Sequence, residues 1–368
     1  MIQPSTRPLF GMILLALASC APGQSRAPAE GSAGGPAFSP ASADAKPAAD
    51  QILLAPRYVA GYSDYIEFKQ DVTQTQSERG APDVTAGLKR LYGMIRRVES
   101  ASKDGATLTL TLDRAMHEKW SMYLRRWYDS DRHDNTDELP ILSRALNIVL
   151  HRVFQFQVNK RLEVVDVQVP DDLEKAIIET QDGFFAPEVQ RDFSAQRLKI
   201  NWFLMPGALY ADRPVKVGDS WKNWVEDQLP LQGPARMHFE CKLEKLEGPP
   251  GKRVATVSFK GALELTGDLS KLDRFARSYQ SEWDGVATFD EARSEYTRRI
   301  QQTRTRLMFA GKAADPKTPP PDQLLFLKVD QSYRVLTMDE RMNEQKSLAA
   351  ASQPKATSQP APAPTIQP

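Results

Sequence analysis

Four histidines, two cysteines and 47 acidic residues bound the chemistry open to this 368-residue chain. A serine nucleophile needs a base, usually a histidine oriented by an acid. Ser220, in Gly218-Asp219-Ser220-Trp221, is the candidate, and His238 is the one histidine that follows it. His238 lies on the polar side of an alternating run, with no aspartate three residues before it. A serine hydrolase using Ser220 is therefore the lesser reading. The same four residues read better as a turn into a strand, with Gly-Asp shaping the turn and Trp221 entering the core. No Gly-x-Ser-x-Gly elbow is present.

Metal chemistry has little to draw on. His117, His133, His151 and His238 form no pair at helical spacing, and no Cys-x-x-Cys exists. The acidic cluster Asp129, Asp131, Asp134, Asp137 and Glu138 lacks the glycine-centred spacing of a calcium loop. No metal and no cofactor are expected. Nothing nominates a carboxylate pair for glycoside cleavage, and no glycine-rich phosphate loop is present. Arg293, Arg298, Arg299, Arg304 and Arg306 give one late strand a basic bias. They read as the solvated outer face of an edge strand, with contact to anionic head groups as the functional alternative. Lys and Arg number 48 against 47 acids, a neutral balance that excludes a nucleic-acid binder.

The elements that must position these residues carry period-two signals. Met237, Phe239, Cys241 and Leu243 alternate with polar residues, the turn Gly248-Pro249-Pro250-Gly251 follows, and Val257, Phe259, Leu263 and Leu265 return with Gly261 in phase. A second hairpin pairs Met94 to Glu99 with Leu108, Leu110 and Leu112 across Asp104-Gly105. A third turns at Asn159-Lys160 between Phe154, Phe156, Val158 and Leu162, Val164, Val167. Helices are predicted from Pro140 to about His151, from Asp171 to about Thr180, and from Pro187 through Leu204. Trp120 to Tyr128 fits either period. After Trp283 come Ala287 to Phe289, a turn near Asp290 to Arg293, a strand from Ser294 to Phe309, a proline-rich loop from Asp315 to Asp322, and one or two strands from Gln323 to Met338. The fold class is α+β and β-rich. It is a curved antiparallel sheet of nine to eleven strands, with two or three helices in one mid-chain insertion.

Residues 1–19 read as a signal peptide, with Arg7 as the basic region and an apolar run from Leu9 to Ala18 too short to span a bilayer. Leu17-Ala18-Ser19-Cys20 resembles the lipobox of bacterial lipoproteins, which implies a lipid on Cys20 and a membrane as partner. Residues 20–50, almost all Ala, Pro, Gly and Ser, read as a disordered tether reaching roughly 30 Å. Residues 51–345 then form one β-rich domain, and 346–368 a second disordered tail. With Cys20 lipidated, Cys241 is the only thiol. Ala21, where an inner-membrane retention signal would have Asp, points to the periplasmic side of the outer membrane in a cell with two membranes.

The Tyr/Phe-rich first strand ending in Val72-Thr73-Gln74-Thr75, the Tyr128-Asp129-Ser130 step, the turn Pro214-Val215-Lys216-Val217-Gly218-Asp219-Ser220-Trp221 and the strand Gly285-Val286-Ala287-Thr288-Phe289-Asp290 carry a further resemblance. They resemble uncharacterised bacterial exported lipoprotein domains, similar in architecture to the half-barrel lipid carriers LolA, LolB and LppX. The resemblance covers most of residues 60–310. It departs at Asn159-Lys160, where such domains often have a glycine. The anchor and a β-rich domain without a recognisable catalytic set point to a non-enzymatic, lipid-anchored envelope protein. Phe154, Phe156, Trp202, Phe203, Met237, Phe239, Phe259 and Leu263 read first as an ordinary core, and the half-barrel resemblance implies that a few of them instead line a concave-sheet cavity for a hydrophobic ligand. The alternative is a structural or assembly component whose partner is another envelope protein.

Overall fold

The computed structural model describes residues 48–78, 82–122, 125–131, 140–180, 186–199, 207–229, 233–266, 276–310 and 322–352. Cys20, most of the tether, Trp202, Phe203 and most of the Asp315–Asp322 loop lie outside them. The strands are β1 (Gln51–Ile52), β2 (Ser63–Glu78), β3 (Val84–Ser102), β4 (Gly105–Ser121), β5 (Arg125–Asp129), β6 (Val153–Asn159), β7 (Val164–Gln168), β8 (Val215–Lys216), β9 (Ser220–Leu229), β10 (Gly233–Glu247), β11 (Val254–Leu265), β12 (Ala276–Asp290), β13 (Glu295–Ala310) and β14 (Asp322–Leu336). The helices are α1 (Pro140–Val149), α2 (Leu173–Glu179), α3 (Ala186–Asp192), α4 (Ala195–Lys199) and α5 (Met338–Ser352).

Twelve strands form one antiparallel sheet in the order β7-β6-β4-β3-β2-β14-β13-β12-β11-β10-β9, with β5 beside the far half of β4. The count exceeds the expected nine to eleven, and the undecided Trp120–Tyr128 stretch is strand on both sides of residues 122–124, as the end of β4 and as β5. The three predicted hairpins form, with Met237 opposite Leu263, Leu108 opposite Val98, and Phe156 opposite Val167.

The sheet is open, but it is not flat. Nine strand spacings of about 4.8 Å would separate β6 from β9 by about 43 Å if it were. One short segment nevertheless touches both flanks. A Cβ added to Gly207 would meet the Arg161 carbonyl in the β6–β7 turn at 2.8 Å, and Arg161 pairs with Asp212 at 3.5 Å. From the other flank, the Asn223 side chain on β9 donates to the carbonyls of Ala208 and Tyr210 at 2.9 and 2.8 Å. The curl has local causes. Register shifts interrupt the ladders at Gly93/Met94, Val98/Ser100, Leu243/Lys245 and Thr288/Phe289, and bulges bend strands. Gly261 faces Trp283, and Gly285 faces Phe259 across the ladder. A Cβ on Gly261 would lie 2.3 Å from the Trp283 ring, so these glycines make room for large rings on the concave side.

The concave face carries the core, from Phe154 and Phe156 on one flank through Ile66, Phe68 and Tyr333 to Phe239 and Phe259 on the other. Helix residues Ala145, Leu146, Leu173, Ile177, Val189 and Leu198 fill it. The predicted helical insertion is corrected in two ways. The hairpin β6–β7 stands between α1 and α2, and the third helix is split in two. The Ser194 hydroxyl accepts the Arg197 N–H at 3.2 Å, so serine caps a new helix at the break. The last strand ends at Leu336 and α5 follows, running through the first residues of the expected C-terminal tail. A reciprocal cap starts it: Glu340 N donates to the Thr337 hydroxyl at 3.1 Å, and Thr337 N to the Glu340 carboxylate at 2.7 Å. It packs on the convex side, where the Arg341 guanidinium stands 4.7 Å from the centre of the Tyr65 ring.

Gly261→Val is expected to lower the unfolding free energy by about 1–3 kcal/mol through overpacking against Trp283. Urea unfolding reads this as a lower midpoint, and an unchanged midpoint would count against the packing described.

Candidate functional site

Residues 48–62 form a strap across one end of the curled sheet, the end at which the turns 159–163, 248–253 and 291–294 gather. β1 pairs with β8, placing Ile52 beside Val215, and Ile52 and Leu54 are fully buried. The strap then runs over the β12–β13 turn, where Arg57 N donates to the Ser294 carbonyl at 3.2 Å, and it meets β3 where Gly61 N donates to Val98 O at 2.8 Å. Arg253 fastens its start. That side chain donates to Gln51 O at 2.7 Å and to the Glu291 carboxylate through Nε at 2.8 Å, while Gly251 N donates to the same carboxylate at 2.7 Å. The Arg253 hydrogen bond holds the Glu291 carboxyl below its ordinary range.

Beneath the strap lies a cavity of about 180 Å³, lined by Tyr58, Tyr62, Val98, Leu162, Tyr210, Tyr296 and Tyr333 together with Arg96, Arg293 and Glu295. At about 30 Å³ per water it has room for roughly six waters or a small organic group. Its charged wall, Arg96, Arg293 and Glu295, is balanced into a set of four by the fully buried Asp64 behind it. Arg96 Nε donates to Asp64 at 2.9 Å and Arg96 also pairs with Glu295, while Arg293 pairs with Glu295 at 3.1 Å and stands 3.6 Å from Asp64. Burial raises the pKa of Asp64 against the pull of Arg96. For Arg96, burial favours the neutral form, but the carboxylates outweigh it and keep the guanidinium charged. The hydroxyls divide into two groups. Tyr296 donates to Leu209 O at 2.7 Å, Tyr58 donates to Asn159 O at 3.3 Å, and Tyr62 accepts from Arg293 at 3.1 Å. Tyr210 and Tyr333, 3% and 1% exposed, have no hydrogen-bond partner for their hydroxyls among the described residues. Burial raises both pKa values, so both hydroxyls remain donors at neutral pH.

None of the nominated apolar residues that the structure describes lines this cavity; Trp202 and Phe203 lie outside the described residues. Phe154 stacks on Phe193 with ring centres 5.8 Å apart. The gap among Phe154, Phe156, Met94, Leu110 and Leu198 is about 10 Å³, so that flank is filled. Phe239 packs against Trp283 at 5.3 Å and Phe259 at 6.3 Å, with Met237 and Leu263 partly buried beside the core. Aromatic content pointed to the core. The end cavity instead takes its lining from single tyrosines on separate turns and strands, whose convergence follows from register.

Ser220 and His238 do not meet. Both turn to the convex side, Ser220 opposite Lys242 and His238 opposite Trp224, which puts them four positions or about 13 Å apart along the ladder. The His238 ring contacts Glu264 at 2.7 Å. Gly218, at φ 94°, and Asp219 form the turn into β9, with Gly218 N donating to Leu243 O at 2.8 Å. Trp221 is half-buried against the core. Asp129 and Asp131 pair with Arg114 at 2.9 and 3.1 Å, while Asp134, Asp137 and Glu138 lie outside the described residues. Among the described residues no three His, Cys, Asp or Glu side chains converge as a metal would require. The Cys241 thiol is buried and pushed up to about 12 by burial.

The late-strand arginines do not lie on a sheet edge. β13 is internal, between β12 and β14, and is not an edge strand. Arg298, Arg304 and Arg306 are exposed, but Arg299 is out of phase with them and turns inward, 4% exposed. Alternation alone could have separated it. It joins an inward polar row with Gln70, Gln74, the Arg90–Asp192 pair at 2.8 Å, and His117, whose Nε2 lies 2.8 Å from the Tyr92 hydroxyl. Burial, with Arg90 and Lys119 nearby, keeps His117 neutral.

No family model matches the chain, and no curated protein matches it. Among solved structures, lipovitellin, in a study of its lipid–protein interactions, aligns with 76% of this chain at 10% identity and TM-score 0.39. This chain spans a quarter of that protein's length. DynF from the dynemicin biosynthesis pathway of Micromonospora chersina aligns at 9% identity and TM-score 0.17, over 85% of this chain and 93% of its own. The outer membrane protein OprG from Pseudomonas aeruginosa aligns at 7% identity and TM-score 0.18, over 78% and 100%. No described helix is long and apolar enough to cross a membrane.

The Arg253–Glu291 clasp has a pH signature. Because the folded Glu291 pKa is lowered, its contribution is complete above the ordinary glutamate value of about 4.3 and is lost as pH falls through the lower folded value. Glu291→Gln is expected to speed amide exchange in residues 50–58 by about tenfold at neutral pH, the effect of losing a charge-assisted hydrogen bond. Exchange in those residues indistinguishable from the parent protein would show that the clasp does not hold the strap.

Proposed function

We propose that this chain is a non-enzymatic, lipid-anchored protein of the cell envelope that binds a small hydrophobic or amphipathic ligand within its curled sheet. The observation that carries the reading is the strap-covered cavity, in which the hydroxyls of two buried tyrosines, Tyr210 and Tyr333, have no partner among the described residues. Buried polar groups are satisfied by protein, water or ligand. A space that joins apolar ring faces to converging donors suits a ligand with one polar end. The strap continues the tether from Cys20, so the covered end of the sheet is the end nearest the anchor. A ligand taken from or given to a membrane would then travel the shortest path. Outer-membrane attachment on the periplasmic side, in a cell with two membranes, fits Ala21 beside the lipidated cysteine.

Two measurements test the two halves. Cys20→Ser is expected to abolish incorporation of labelled palmitate and to move the protein from the membrane to the soluble fraction; continued labelling would remove the anchor from the account. Native mass spectrometry of protein prepared without detergent is expected to show a bound species in a fixed ratio, and a uniformly empty protein would contradict the ligand.

A further inference from the structure

Arg299 is a buried cation with no counter-ion among the described residues. Arg90, Arg96, Arg253 and Arg341 are buried to a similar degree, and each holds a carboxylate: Asp192, Asp64, Glu291 and Asp131 respectively. Arg299 has no ion pair and no hydrogen bond there, and its Nε is fully enclosed without an acceptor. Leaving a charge desolvated and unpaired is costly enough that folded proteins seldom do it without a ligand or a function. Burial brings its pKa down only to about 10, so at neutral pH the guanidinium keeps its charge.

Its position ties it to the cavity. Arg299 lies directly opposite Tyr333 on β14, both facing the concave side, and the Tyr333 ring is part of the cavity lining. The other charges near that wall are committed: Asp64 and Glu295 are shared between Arg96 and Arg293. Among the described residues no carboxylate is left over for Arg299. Two register positions further in, on the same face, stands Gln70, 7% exposed, whose side-chain oxygen also has no partner among the described residues. Next to the Tyr333 ring the concave face thus presents a cation, a phenol and an amide without partners among the described residues, while the cavity on its other side presents tyrosine rings, aliphatic side chains and the mutually paired Arg96, Arg293 and Glu295.

We propose that Arg299 receives the anionic head, a carboxylate or phosphate monoester, of an amphiphile whose apolar chain lies in the strap-covered cavity, with the Tyr333 hydroxyl as second donor. This rests on the reading that the cavity takes a ligand. A planar guanidinium binds such oxyanions through two parallel hydrogen bonds, and the charge would at once find the partner it lacks.

Titration calorimetry of the full chain with octanoate and with 1-octanol, matched in chain and different in charge, separates the possibilities. The parent protein is expected to bind octanoate at least tenfold more tightly. Arg299→Met is expected to erase that preference by weakening octanoate alone, and to melt at a higher temperature, because a desolvated charge has been replaced by an apolar side chain of similar length. Arg299→Gln serves as a second variant with the same expected loss. Equal affinity for acid and alcohol in the parent protein, or a preference that survives in both variants, overturns the assignment to Arg299 while leaving a ligand-binding cavity. Binding of neither probe overturns the cavity reading itself. Inorganic phosphate bound by the parent and not by either variant, with octanoate unbound, keeps the anion site and removes the apolar chain from it.

Discussion

A twelve-stranded antiparallel sheet with one apolar face must curl to keep that face from water, and here the two flanks of the curl are held by the six residues from Gly207 to Asp212. Gly207 permits the approach on one side, since any side chain would strike the Arg161 carbonyl. The carbonyls of Ala208 and Tyr210 supply the acceptors on the other. The flanks stop short of pairing as a closed barrel would, so edges remain at β7 and β9. The concave space is then divided by what fills it. Helices occupy the β6 flank, aromatic rings the β10–β12 flank, and the strap covers one end.

That covered end concentrates groups a core would not keep. Four charges balance one another around Arg96, five tyrosines line one space, and Arg299 stands beside it without a counter-ion among the described residues. A buried ion pair adds little net stability, since desolvation offsets much of the attraction. The arrangement is better understood as something that fixes the shape and polarity of the cavity. The clasp of Arg253 and Glu291 does the same for the strap, which is otherwise held by the buried side chains of Ile52 and Leu54, a two-residue ladder with β8 and single hydrogen bonds.

Strand phase was the most legible feature of the sequence. Alternation from Met237 to Leu265 marked both arms of the β10–β11 hairpin and their inward phase, though not the bulge at Leu243/Lys245. The same rule, applied to Arg298, Arg299, Arg304 and Arg306, would have turned Arg299 inward, but shared charge masked its different phase. The Thr337-Met338-Asp339-Glu340 cap was equally readable and announces α5, yet the polar stretch after it suggested a tail. Ser194 hid its break inside a run of apolar residues at helical spacing. The cavity was not readable. Tyr58, Tyr210, Tyr296 and Tyr333 lie far apart in sequence, and only the strand order brings them together.

Cavity, strap and the placement of Arg299 all depend on the curl. Spin labels at Lys160, in the exposed β6–β7 turn, and Lys222, exposed on β9, measure it by pulsed electron spin resonance. The path through Gly207 and Asn223 predicts a separation below about 25 Å, whereas a flat sheet would hold the labels about 43 Å or more apart, nine strand spacings. The longer distance would contradict the account.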